Sequence, residues 1–142
     1  MSVLYRYVPA DSIRDIVDCG IKLSQWYDRE MNFGEPQGHR KVMLALINPW
    51  DDPVKSRDGS YRCIRLDLDP EECMVGDADL YRMGFAEPSL MERYMKTLVP
   101  LSEYRFGVFR NPECLVLTSV LPEQIEITGK AQDAPVLFEN SE

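Results

Sequence analysis

Few side chains in this sequence have both the type and the setting for chemistry, and they lie far apart along the chain. Glu113 follows Pro112 and opens the apolar run Cys114, Leu115, Val116, Leu117, so a carboxylate stands at the mouth of a core segment. A carboxylate held there can stabilise positive charge developing in a transition state, orient a hydroxyl or accept a proton. Arg6 sits between Tyr5 and Tyr7 near the start. Its planar guanidinium stays charged and grips oxygen atoms in pairs, which suits phosphates. Ser24 offers a hydroxyl, and the adjacent Trp26 and Tyr27, with Phe33 beyond them, offer flat faces for stacking.

Each of these also has a plain structural reading. Glu113 can be a solvated residue where a strand begins, and Arg6 can face solvent or pair with an acid such as Asp67 across a sheet. Trp26 and Tyr27 can cover the edge of a core. Other chemistries have less support. The cysteines at 19, 63, 73 and 114 include no CxxC pair and each adjoins an apolar stretch, which predicts buried or half-buried thiols. One histidine, His39, is too few for an ordinary closed zinc site, so no metal is expected. A phosphate-binding loop of either standard glycine spacing is absent from the sequence.

The totals bound the answer further. The 142 residues are 44% hydrophobic and 28% charged, ordinary values for one globular domain with a core of its own. A formal charge of −8 disfavours direct binding to a nucleic-acid backbone and suits a basic partner surface. No apolar run is long enough to span a bilayer, and the Met1-Ser2-Val3-Leu4 start lacks a basic region before an apolar stretch, so the expectation is a cytoplasmic protein without a membrane partner.

Local patterns then place the candidate residues on elements. Residues 3–8 read as a strand ending at Pro9, and Asp11 or Ser12 can cap a helix with Ile13, Ile16 and Val17 on one face and Gly20 at its end. Residues 21–23 resume an extended chain, and residues 24–40, with two glycines and a proline, predict a surface loop, with room for a helical turn, that can serve as a lid. Residues 42–47 are uniformly apolar, as in a strand covered on both faces. Residues 61–68 alternate, with Ile64, Leu66 and Leu68 inward and Arg65 and Asp67 outward. Asp69-Pro70-Glu71-Glu72 starts a helical turn, and residues 76–79 read as another turn. Leu90, Met91, Tyr94, Met95 and Leu98 recur at helical spacing and predict core packing. Strands are expected at 105–109 and 114–120 and an edge strand at 125–127. The expected fold is a single α+β domain over residues 1–127, with a mixed or antiparallel, split sheet and two or three short helices; residues 128–142 read as a polar, flexible tail.

The opening Tyr5-Arg6-Tyr7 strand, the helix closing on Cys19-Gly20-Ile21, the apolar strand at 42–47, and Asn111-Pro112-Glu113-Cys114-Leu115-Val116-Leu117 followed by Leu121-Pro122-Glu123-Gln124-Ile125 together resemble the ADP-ribosyltransferase superfamily, its bacterial and phage members in particular. The resemblance implies a split sheet that grips NAD, used as a substrate without a metal. It implies Glu113 as the catalytic glutamate, Arg6 holding the dinucleotide, Ser24 near the ribose, and Trp26 or Tyr27 stacking on a ring. The activity implied is mono-ADP-ribosyl transfer to a protein or other macromolecular target, as in toxins, effectors and phage enzymes. Two departures stand out. Asn111 occupies the place where arginine-directed members carry a second acid, and residues 42–47 offer no hydroxyl where the family has its Ser-Thr-Ser strand. A rival expectation from another class is a non-catalytic acidic binding module or inhibitor, with Asp51, Asp52, Glu71, Glu72, Asp77 and Asp79 gathered on one face against a basic, nucleic-acid-binding site of a partner.

Overall fold

Alternation of inward and outward residues builds the first sheet. The computed structural model describes residues 1–130. In strand β1 (Ser2–Pro9) Leu4 and Val8 point into the core, and in β4 (Tyr61–Leu68) Ile64, Leu66 and Leu68 do the same while Arg65 and Asp67 face outward. The two pair antiparallel along their full length, with Arg6 opposite Ile64, and β8 (Ile125–Lys130) adds to the other side of β4. The order is β1-β4-β8.

The second sheet has five strands, β2 (Arg29–Asn32), β3 (His39–Ala45), β5 (Cys73–Asp77), β6 (Val99–Pro100) and β7 (Pro112–Val116), in the order β2-β3-β7-β5-β6, again antiparallel throughout. Its inner face, with Met43, Ala45, Cys73, Val75, Cys114 and Val116, packs against Leu4, Val8, Ile64, Leu66 and Leu68. Its outer face, with Val42 and Leu115, is covered by Tyr94 and its neighbours from α3 (Ala78–Met83) and α4 (Pro88–Thr97). Two shorter helices, α1 (Ile13–Cys19) and α2 (Leu23–Trp26), precede β2. The protein is thus an α+β fold of three layers: three-stranded sheet, five-stranded sheet, helix pair.

The sheets meet where Tyr5 and Leu46 exchange backbone hydrogen bonds of 2.8 and 2.6 Å. A second bridge joins Ile21 to Val120 just after α1. Gly20 makes this bridge feasible: it ends α1 at φ 77, and a Cβ there would lie 2.3 Å from the Val120 carbonyl oxygen.

Several expectations are corrected. The extended chain at 21–23 reduces to the single Ile21 bridge, because Leu23 already begins α2. The loop at 24–40 contains β2, whose Met31 is buried in the outer-face cluster; one apolar residue among polar ones leaves little periodic signal. The turn at 76–79 is the end of β5, and Asp77 caps α3 by accepting from the amides of Asp79 and Leu80. Residues 105–109 form no strand: Gly107 takes φ 98, the Val108 amide donates back to the Arg105 carbonyl, and Phe106 and Val108 are exposed. The strand expected at 114–120 begins at Pro112 and stops at Val116. Beyond 127, β8 continues to Lys130, so the expected tail overlaps a strand there; residues 131–142 of that tail lie outside the described residues. Among the described residues four helices form rather than two or three, since the short segments Leu23–Trp26 and Ala78–Met83 each close a helical turn.

Gly20→Ala is expected to lower unfolding stability by about 2 kcal/mol or more, because it imposes a disfavoured φ and a backbone clash together. The shift in urea midpoint measures it; an unchanged midpoint would mean that the bridge gives way without cost.

Candidate active site

The residues that gather charge in this fold sit around the end of β3. Two hollows open there and share Leu44, Ala45 and Leu46 as a common wall. One, of about 320 Å³, is lined also by Asp51, Ala78, Arg110, Asn111, Pro112 and Glu113. The other, of about 170 Å³, is lined by Tyr5, Arg6, Tyr7, Asp28, Asp52 and Lys55.

Glu113 is positioned by its strand. It alternates with the inward residues Cys114 and Val116, so it points to the helix-covered face of the five-stranded sheet, opposite Gly76 of β5. Gly76 matters here because it has no side chain. A Cβ at that position would lie 2.8 Å from a ring carbon of Tyr94 and 3.0 Å from its hydroxyl, so only glycine admits the ring that reaches across to Glu113. The Tyr94 hydroxyl donates to Glu113 Oε2 at 2.6 Å. Arg29 donates two further hydrogen bonds, 2.7 Å to Oε2 and 2.9 Å to Oε1, in the paired fork geometry. The side chains of Arg29 and Glu113 are 14% and 12% exposed, so the pair is largely withdrawn from water.

The electrostatics follow from that burial. Burial of Arg29 favours the neutral form, but the hydrogen bonds and charge of Glu113, with Tyr81 and Tyr94 nearby, outweigh it and raise its pKa. Its Cζ lies 3.4 Å over the centre of the Tyr81 ring, a cation–π contact that restrains the second face of the guanidinium. Burial first, then the bond to Glu113, raises the Tyr94 hydroxyl far above its ordinary range. It is a neutral donor at any working pH. A carboxylate has about four acceptor positions, two on each oxygen. Arg29 and Tyr94 occupy both on Oε2 and one on Oε1, so the arrangement leaves Glu113 one acceptor position, on Oε1.

Arg6 has a different fate. It lies between Leu4 and Val8 on the inward face of β1, and it neither faces solvent nor pairs with Asp67, which stands opposite Val3 instead. Nη1 donates 2.7 Å to Asp28 Oδ2 and 2.7 Å to the Leu44 carbonyl, and Nη2 donates 3.4 Å to both Asp28 Oδ1 and the Trp26 carbonyl. Only Nε is left, buried and without a hydrogen-bond partner. Asp28 in turn accepts from the Leu44 amide at 2.7 Å.

Arg6 and Glu113 therefore flank the same strand end from separate hollows, with the backbone of residues 44–46 between them. Ser24, exposed on α2, lines neither. Trp26 packs its ring on the main core and borders a third hollow with Cys19 and Gly20. Tyr27 is exposed, with Lys41 Nζ 4.6 Å from its ring centre, and Phe33 packs in the outer-face cluster. Sequence reading missed Asp28 and Arg29, which are 84 residues from Glu113 in the second case and carry no local signal. It placed Tyr94 in the core stripe, where it is, without its hydroxyl's role.

Of the cysteines, Cys63, Cys73 and Cys114 are buried and Cys19 is exposed. Burial raises the Cys73 and Cys114 thiols to about 12. His39 is exposed at the start of β3. Among the described residues no group of three or more His, Cys, Asp or Glu side chains is arranged to hold a metal ion, and no helix is long and apolar enough to cross a membrane. A comparison with known families finds no family model that matches the chain, and a comparison with curated proteins finds no match.

Two outcomes are expected from this geometry. Tyr94→Phe deletes a donor to a charged acceptor and should cost about 2 kcal/mol in chemical unfolding. Arg29→Met leaves a shielded carboxylate without its counter-charge and should cost more, about 3 kcal/mol. Equal effects would show that the ion pair adds nothing beyond one hydrogen bond. In the native protein a small alkylating reagent should add once, at Cys19, and reach the other three thiols only after denaturation; intact-mass spectrometry counts the adducts.

Proposed function

We propose that this protein transfers ADP-ribose from NAD to a macromolecular target, with Glu113 acting at the nicotinamide ribose. The observation that carries the reading is a carboxylate locked by Arg29 and Tyr94, keeping one acceptor position, on a residue that lines a hollow of about 320 Å³. That volume falls near the small end of ligand pockets, about 300 to 1,000 Å³.

The chemistry asks for this kind of carboxylate. As nicotinamide leaves, positive charge builds on the ribose, and a carboxylate that is fixed in place beforehand stabilises charge that exists mainly in the transition state. The remaining acceptor position on Oε1 suits a ribose hydroxyl or the proton of the attacking group. Arg110, exposed at the same hollow, takes the pyrophosphate in this reading, since its fork binds paired oxygens. Arg6 stands with its terminal nitrogens already engaged, so its part is to hold the neighbouring wall through Asp28 and Leu44.

The acidic-module alternative draws less support. Asp77 and Asp51 accept from their own local backbone, Asp79 pairs with Arg82 at 2.5 Å, and Asp52 lines the Arg6 hollow. Glu71 and Glu72 precede β5 while Asp77 ends it, and five extended residues separate such groups by about 15 Å. With three of the six acids held in local turns or caps, Asp79 paired with Arg82, and Glu71 and Glu72 at the far end of β5 from Asp77, these groups make a poor single docking face.

NAD at millimolar concentration should raise the melting temperature by selective binding to the native state. Nicotinamide release, read by chromatography, should fall about 100-fold or more in Glu113→Gln, a shape-preserving change whose fold is checked by circular dichroism. No thermal shift and no nicotinamide from the wild-type protein would end the NAD reading.

A further inference from the structure

Asp28 and Arg29 are consecutive, yet their side chains serve different sheets. Asp28 takes the guanidinium of Arg6 from the three-stranded sheet at 2.7 and 3.4 Å, and Arg29 takes the carboxylate of Glu113 from the five-stranded sheet at 2.7 and 2.9 Å. We propose that Asp28 and Arg29 are the positioning residues of the site, a two-sided clamp that sets where Glu113 and Arg6 stand relative to each other across the split.

Four features of the molecule support the clamp. First, the dipeptide is itself anchored: the Asp28 amide donates 2.8 Å to the Val42 carbonyl, and Arg29 pairs with Val42 in the β2–β3 ladder. Second, both charges grip through two oxygens or two nitrogens, a geometry that fixes orientation as well as distance. Third, the Tyr81 ring lies 3.4 Å beneath the Arg29 guanidinium, so Arg29 is held from a direction that Glu113 does not supply. Fourth, Asp28 also receives the Leu44 amide, which ties the clamp to the wall shared by both hollows. The consequence is reach without contact. Asp28 touches Arg6 and Leu44, not Glu113, and still sets the backbone from which Arg29 extends.

Arg29 is a positioning residue under this account, because it acts on the ribose only through Glu113. Lysine at 29 keeps the positive charge but presents a point donor in place of a fork, so Glu113 keeps its counter-ion and loses its fixed orientation. A misplacement of about 1 Å costs about 100-fold in rate.

The inference rests on the NAD reading, and the experiment separates the two. Nicotinamide release is measured on the full chain for the wild type, Arg29→Lys, Asp28→Asn and Arg29→Ala, with circular dichroism and melting temperature on each. The expected result is a fall of about 100-fold in kcat with KM changed by less than about threefold for Arg29→Lys, as loss of an interaction made only in the transition state requires. Asp28→Asn should lower kcat in the same direction, by about tenfold, although it does not touch Glu113. Arg29→Ala should recover activity when millimolar guanidinium is added, a response that a merely structural role would not give. Wild-type kcat in Arg29→Lys and Asp28→Asn, or folded Arg29→Ala that guanidinium does not rescue, would overturn the clamp and leave the NAD reading standing. No nicotinamide release by the wild type would remove the NAD reading, and the clamp with it.

Discussion

The edge of β3 at Leu44 is the point on which the rest of the structure depends. Up to Val42 this edge pairs with β2, and at Leu46 it pairs with Tyr5 of the other sheet, but at Leu44 no strand is within reach. Its amide donates to Asp28 and its carbonyl accepts from Arg6, so an ion pair completes the ladder for one residue. Backbone groups left over at a gap in a ladder need partners, and here two charged side chains supply them at a half-buried position. Because Arg6 and Asp28 do so, β3 can leave one sheet's company and join the other's within four residues. The split that shapes both hollows is built on that exchange.

The same constraint explains why the two charged networks lie so near each other. An arginine on the inward face of β1, between Leu4 and Val8, is tolerable only if its charge and its donors are met inside the fold. Asp28 meets the charge, the Leu44 and Trp26 carbonyls share the terminal donors while Nε alone goes unmet, and Asp28 in doing so fixes the residue that follows it. Arg29 then emerges on the opposite side, over Tyr81, at the distance needed to take both oxygens of Glu113. The absence of a side chain at Gly76 lets Tyr94 complete the set from α4. A carboxylate restrained by three hydrogen bonds from two side chains and largely withdrawn from water is preorganised, and preorganisation is the property that electrostatic catalysis requires.

Much of the architecture was legible locally. The alternation at 61–68, the stripe containing Tyr94 and the glycine at the end of α1 report local periodicity or backbone preference and appear as expected, whereas the strand expected at 42–47 starts already at His39 and stops at Ala45, with Leu46 in an isolated bridge. The misses have a common cause. β2 carries Arg, Glu, Met and Asn, and the chain at 105–109 carries two exposed apolar residues, so composition points the wrong way in both. What decides them is the partner: β2 has the open edge of β3 beside it, whereas residues 105–109 have Gly107 and no adjoining strand.

The sequence by itself determined the α+β class, the order of most elements, and the placing of a glutamate at the mouth of a core strand, because these follow from periodicity, chain stiffness and the burial of apolar area. Only the tertiary structure decided what that glutamate touches. Arg29 lies 84 residues away, Asp28 meets Arg6 from 22 residues away, and Tyr94 reaches Glu113 through a space that a glycine on a third strand leaves open. Charge pairing of this kind depends on distances of a few ångströms between elements, and such distances exist only after the sheets have closed around their core.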